Sequence, residues 1–165
     1  MQHLFLLLPI LFFFIHSPIA QASDIANTNM MGAGIGAGST SLGLTAKQYL
    51  QPDKAVQLFL GSGGGGIYNR YASFAVEGLQ EMTYREMDYG RVFWGYGAGA
   101  GIYAYRGYNV NQSSISIEAI LEGGVHFHEA PLEIILDLRP TFFLGNYGYN
   151  GLYLLNLGGA IRYYF

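Results

Sequence analysis

Leu152-Tyr153-Leu154-Leu155-Asn156-Leu157-Gly158-Gly159-Ala160-Ile161-Arg162-Tyr163-Tyr164-Phe165 alternates in character up to its final aromatic residue. Successive side chains of an extended strand point to opposite faces. Tyr153, Leu155, Leu157, Gly159, Ile161, Tyr163 and Phe165 therefore share one face. Leu152, Leu154, Asn156, Gly158, Ala160, Arg162 and Tyr164 share the other. One face is continuously apolar, and the other carries Asn156 and Arg162. The stretch reads as a β-strand with a different environment on each side.

The opposite end of the chain reads as an export signal. Leu4 to Ile15 is an apolar run of signal-peptide length, too short to cross a bilayer as a helix. Ala20-Gln21-Ala22 follows as a small-residue cleavage site, so residues 1–22 are expected to be a removed leader and 23–165 one domain. The leader departs from the usual pattern in having Gln2 and His3, but no Lys or Arg, ahead of the apolar run. The chain has no cysteine, which removes lipoprotein processing, disulfides and thiol chemistry together.

The composition is 51% hydrophobic and 16% aromatic but only 12% charged, with 24 glycines. That aromatic content argues against disorder, and no later stretch approaches the ~20 apolar residues of a membrane helix. A net charge of −3 offers no basic field, so nucleic-acid partners are not expected.

Turn chemistry divides the chain. Gln51-Pro52-Asp53-Lys54, Asp88-Tyr89-Gly90 and His128-Glu129-Ala130-Pro131 are short breaks carrying Pro, Asp or Gly. Residues 62–70, 105–113 and 145–151 are longer breaks rich in Gly, Asn and Tyr, and a very short one lies at Ser39–Ser41. Eight strands result, at about 30–38, 42–50, 55–62, 71–86, 91–104, 114–127, 132–144 and 152–165, with boundaries good to about 2–4 residues.

The faces of these strands decide the fold class. In strand seven Leu132, Ile134, Leu136, Leu138, Phe142 and Leu144 oppose Glu133, Asp137, Arg139 and Thr141. Strand six sets Ile115, Ile117, Ala119, Leu121, Val125 and Phe127 against Ser114, Ser116, Glu118, Glu122 and His126. Strand four sets Phe74, Val76, Met82 and Tyr84 against Ser73, Glu77, Glu81, Thr83 and Arg85. Every strand-borne charge except Glu86 falls on one common face, and Gln80 alone breaks the apolar face of strand four. A soluble sandwich buries its apolar face and exposes its charges. Strands of spanning length with charges turned to an enclosed axis and leucines turned outward read as an all-β, eight-stranded antiparallel up-and-down transmembrane barrel. In such barrels short turns are periplasmic and longer loops external, so both termini are expected on the periplasmic side.

An eight-stranded barrel has an interior that side chains can fill. Lys47, Arg85, Arg91, Arg139 and Arg162 are expected to meet Glu77, Glu81, Glu118, Glu122, Glu133 and Asp137 there, with His126 among them. An unpaired buried charge costs several kcal/mol, so these groups should pair across the axis. Inward glycines of strands one and five (Gly32, Gly34, Gly36, Gly38; Gly95, Gly97, Gly99, Gly101) leave room for them. Tyr84, Trp94, Tyr96, Phe127, Tyr163 and Phe165 should form an aromatic girdle at the periplasmic interface.

Other chemistry finds little footing. Gly61-Ser62-Gly63-Gly64-Gly65-Gly66 lacks the Lys and Ser/Thr of a phosphate loop, and Gly32-Ala33-Gly34-Ile35-Gly36 precedes no helix. His126-Phe127-His128-Glu129 offers two histidines on one strand face, but no third and fourth ligand to complete a metal site. The inward carboxylates have acid–base potential, yet structural ion-pair networks produce the same constellation. We expect no catalytic residues, cofactor or metal. The external loops, with Tyr68-Asn69-Arg70-Tyr71, Arg106-Gly107-Tyr108-Asn109 and Asn146-Tyr147-Gly148-Tyr149-Asn150, are the remaining surface for a partner.

The strand pattern, the turn order and the ending Gly158-Gly159-Ala160-Ile161-Arg162-Tyr163-Tyr164-Phe165 resemble the small OmpA/OmpX-type outer-membrane barrels. The resemblance implies residence in the outer membrane of a Gram-negative-type bacterium, amid its lipids and lipopolysaccharide. It further implies that Tyr163 and Phe165 act as the signal read by the outer-membrane insertion machinery. Some eight-stranded barrels modify lipid A with a His-x-Ser arrangement on an outer strand; this chain has His126-Phe127-His128 instead. A non-enzymatic structural or surface-interaction role follows as the first expectation, with a narrow solute pore as the alternative and a lipid A-modifying enzyme as the second.

Overall fold

The structure is a computed structural model that describes residues 30–38, 41–63, 70–107, 110–145 and 151–165. The expected leader, residues 1–22, lies outside the described residues, as do the loop tips 64–69, 108–109 and 146–150. The elements are β1 (Met31–Gly38), β2 (Leu42–Gln51), β3 (Lys54–Gly63), β4 (Arg70–Met87), β5 (Gly90–Gly107), β6 (Val110–Phe127), β7 (Leu132–Leu138), β8 (Thr141–Gly145), β9 (Gly151–Tyr153) and β10 (Leu157–Tyr164). Every pairing is antiparallel, and the order β5-β4-β3-β2-β1-β10-β7-β6 returns to β5 through the β5–β6 hairpin, so the sheet is a ring. β7 and β8 both pair with β6 and make one stave of the wall, and β9 with β10 makes another. The result is a closed barrel of eight staves.

Alternation sets what each face meets. Ile35, Leu44, Leu60, Ile102, Ile115 and Leu136 are exposed on the outside, whereas Lys47, Glu77, Glu133 and Arg162 are at most 1% exposed within. Among the described residues the interior is thus mostly polar and charged, with Leu79, Phe93, Ile120 and Ile135 packed among those groups, and the exterior carries an apolar belt. Met30, Phe165 and the three short turns share one end of the barrel, where Tyr49 N–H bonds Met30 O and Phe165 N–H bonds Met31 O. We call this the turn end, and the opposite one the loop end.

The long connections are shorter than composition suggests. Residues 105–107 and 110–113 continue β5 and β6, paired Tyr105↔Gln112, Arg106↔Asn111 and Gly107↔Val110. Tyr, Asn and Gly favour loops in isolation, but a partner strand in register overrides that preference. The third stave likewise runs to Gly63 and reaches 10 residues.

Two register shifts correct the face assignments. Thr83 pairs with Phe93 but Arg85 pairs with Val92, so Tyr84 is an extra, bulged residue. One inserted residue reverses the faces beyond it. Arg85, expected in the lumen, is therefore exposed and opposite an outward residue, while Glu86 takes the inward register opposite Arg91. The single exception to the charge pattern thus disappears and a different one arises.

The second shift interrupts the strand that opened the sequence reading. Leu138 pairs with Leu157 and Thr141 with Tyr153, leaving residues 139–140 opposite residues 154–156. The extra residue reverses the faces of the stave towards the loop end. Tyr153 now opposes buried Thr141, Leu152 opposes outward Phe142, and Leu154 and Leu155 are both exposed. Strand seven, expected to run unbroken over 132–144, divides at the same level, around Arg139-Pro140. Proline lacks the N–H that the ladder needs.

Glycine is required where staves approach closely. A Cβ on Gly34 would overlap the Ile161 carbonyl oxygen, and one on Gly97 the Gly78 carbonyl oxygen. Gln80, the polar residue on an apolar face, lies near the β2–β3 turn, where its side-chain amide donates to Asp53 Oδ2 at 2.7 Å.

Candidate functional site: the charged lumen

β2, β4, β6, β7 and β10 each turn an ionisable residue to the axis near the turn end, because a common parity runs round the ring. Lys47 ion-pairs with Glu81 and lies 3.2 Å from both Glu122 Oε1 and Glu133 Oε2. Glu133 also receives the Tyr164 hydroxyl at 3.0 Å, meets His126 Nε2 at 2.7 Å and ion-pairs with Arg162. Tyr49 donates to Glu81 Oε2 at 2.6 Å and lies 3.1 Å from His126 Nε2. Phe93 meets the His126 ring edge-on at 4.4 Å, and Lys47 Nζ lies 5.2 Å over the Phe93 ring. Arg91 caps this tier towards the turn end, 3.4 Å from His126 Nδ1 and 3.9 Å from Glu81.

A second tier lies towards the loop end. Arg139 grips Asp137 through Nε at 2.7 Å and Nη2 at 3.0 Å, and it also ion-pairs with Glu77. Gln57 donates to Glu77 at 2.5 Å, Ser116 donates to Glu118 at 2.8 Å, and Tyr103 reaches Glu118 at 3.5 Å. Arg162 joins the tiers. Its guanidinium bonds Thr45 Oγ1 at 3.1 Å, Gln57 and Glu133. A mouth of about 470 Å³ opens at the turn end among Pro52, Asp53, Gln80, Glu81, Thr83 and Arg91, but beside Phe59, Tyr103, Glu118, Arg139 and Asn156 the space is about 20 Å³. That volume suits water rather than a passing solute.

The structure brings together Lys47, Glu77, Glu81, Arg91, Glu118, Glu122, His126, Glu133, Asp137, Arg139 and Arg162 along the axis; Arg85 stays outside. The loss of Arg85 widens the excess of carboxylates over fixed cations, and Glu122 Oε2 is buried without a hydrogen-bond partner among the described residues. His126 and His128 do not converge, since His128 lies in the turn 3.3 Å from Glu86. Trp94 and Tyr96 are exposed on the outer face with ring centroids 6.1 Å apart. Tyr84 is exposed at its bulge, and Phe127, Tyr163 and Phe165 are half-buried at the turn end.

Sequence reasoning passed over Tyr49, Gln57, Phe93 and Tyr164 as members of the network. Their inward parity was legible, but partners on staves distant in the sequence were not.

No family model and no curated protein matches the sequence. Among solved structures, the N-terminal β-barrel domain of Pseudomonas aeruginosa OprF is similar, with a TM-score of 0.58 at 12% identity over 84% of this chain and 98% of that one. At that identity the likeness is one of fold: a closed, eight-stranded antiparallel barrel.

Proposed function

We propose that this protein is a small integral outer-membrane barrel of a Gram-negative-type bacterium, with a non-enzymatic structural or surface-interaction role. The inverted burial carries the reading. Lys47, Glu133 and Arg162 are buried, while a ring of Leu, Ile and Phe is exposed, an arrangement that only an apolar surround stabilises. The lumen is filled by paired side chains, which argues against transport along the axis. The turn end with both chain termini then faces the periplasm, Trp94, Tyr96, Phe127 and Tyr163 anchor the interface, and the loops around 62–70, 105–113 and 145–151 meet partners outside. Tyr163 and Phe165 supply the insertion signal in this reading.

The protein refolded with phospholipid should float with the vesicles and change gel mobility on boiling. A water-soluble, unshifted protein rejects the membrane assignment. Planar-bilayer recording addresses the filled lumen: steady channels abolished by neutralising Arg139 and Glu122 would replace the structural role with that of a pore. Phe165→Ala should reduce insertion in cells while leaving refolding in vitro intact.

A further inference from the structure

Both ladders of the seventh stave are interrupted at one level. On the β6 side, Ala119 N–H bonds Pro140 O at 3.0 Å, but Pro140 has no N–H to return. On the β10 side, Arg139 N–H bonds Asn156 O at 2.7 Å, while the Arg139 carbonyl accepts from its own stave, from Thr141 Oγ1 at 2.8 Å. Leu154 and Leu155 bulge outward there, 61% and 81% exposed. Immediately inside lies the lumen cavity, lined by Tyr103, Arg139 and Asn156, with only Gly36, Gly38 and the methyl of Ala160 beside them. A weakened wall, an outward leucine pair and an inner polar cavity therefore coincide at one point.

We propose that the wall parts at this point to admit an uncharged single-chain amphiphile from the surrounding bilayer. Its hydroxyl or amide head takes Asn156 and Tyr103, and its alkyl chain leaves between the staves along Leu154, Leu155 and Leu157. The head is not anionic, because Arg139 is already held by Asp137 and Glu77, and the lumen has carboxylates in excess. A carboxylate head would meet no free cation there. This site rests on the membrane reading given above.

The test uses the mature chain refolded into vesicles with Trp94→Phe, to remove the one tryptophan, and Phe143→Trp, beside the Tyr103 ring, as a reporter. The probes are a long-chain alcohol brominated along its chain and the fatty acid of the same length. Flotation and gel shift of the same sample establish the membrane barrel separately. The expected result is a saturable loss of Trp emission with the alcohol and a much weaker one with the acid. Deleting Leu155 together with Pro140→Val restores two residues opposite two and a complete set of donors, and should abolish the saturable loss. Asn156→Leu keeps the chain length and should weaken binding of the alcohol. Non-saturable quenching in the parent, equal quenching by the acid, or unchanged quenching in both variants overturns the proposal.

Discussion

The wall of β4, β5 and β6 and the wall of β7 to β10 follow one alternation rule with opposite results. β4, β5 and β6 each run 18 residues without interruption. The neighbouring two staves are each cut in two, by Pro140 and by the extra residue within 154–156. The tall wall absorbs its own bulge at Tyr84 near the turn end, where it turns Arg85 outward and Glu86 into the inward register. The broken wall has its defect beside Arg139 and the lumen cavity. Irregularity costs little where side chains meet solvent, and it changes access where they meet the interior.

The turn-end tier ties both walls together, so breaking it should have the largest effect. Glu133→Ala leaves Lys47 and Arg162 facing each other without their shared carboxylate. Removal of one partner from a buried ionic cluster costs about 3–5 kcal/mol, expected as a large fall in the urea midpoint of the vesicle-bound barrel. Gly97→Val attacks the tall wall alone, forcing side-chain atoms onto the Gly78 carbonyl. Overpacking of this kind costs about 1–3 kcal/mol, read as a lower boiling-shift temperature. Pro140→Val sharpens the contrast from the other side. It returns a donor to the Ala119 carbonyl and should raise the urea midpoint by the worth of one hydrogen bond, about 0.5–1.5 kcal/mol; a fall would mean that the break is not a weak point. Arg85→Ala should change stability by no more than about 0.5 kcal/mol, as surface substitutions do. A loss of several kcal/mol would return Arg85 to the lumen.

Alternation made most of the barrel legible, because a strand that separates leucines from charges announces two environments in its own residues. The strands holding Glu118 and Glu122, or Glu133 and Asp137, needed nothing more. The failures at Arg85 and at Tyr153 share one cause. A single extra residue reverses a face, and the residues of a bulge look no different from those of a regular strand. Pro140 was visible as a donor missing from strand seven, but its coincidence with a shift in the following stave depends on pairing. The same holds for the Lys47–Glu122 and Arg162–Gln57 contacts, which cross the axis between staves that the chain visits far apart.

The ring is closed by β1 and β10, paired from Gly32↔Tyr164 to Gly38↔Gly158. No other ladder in the described barrel joins segments so far apart along the chain. Every other stave pairs with a near neighbour, so the sheet can grow by hairpins, yet each partial sheet keeps two bare edges open to foreign strands. Loop closure weighs most heavily on this last pairing, which makes it the slow event expected of high contact order. Until β10 docks, Arg162 cannot reach Thr45 or Gln57, and assembly of the lumen is therefore a late event in the folding of the wall.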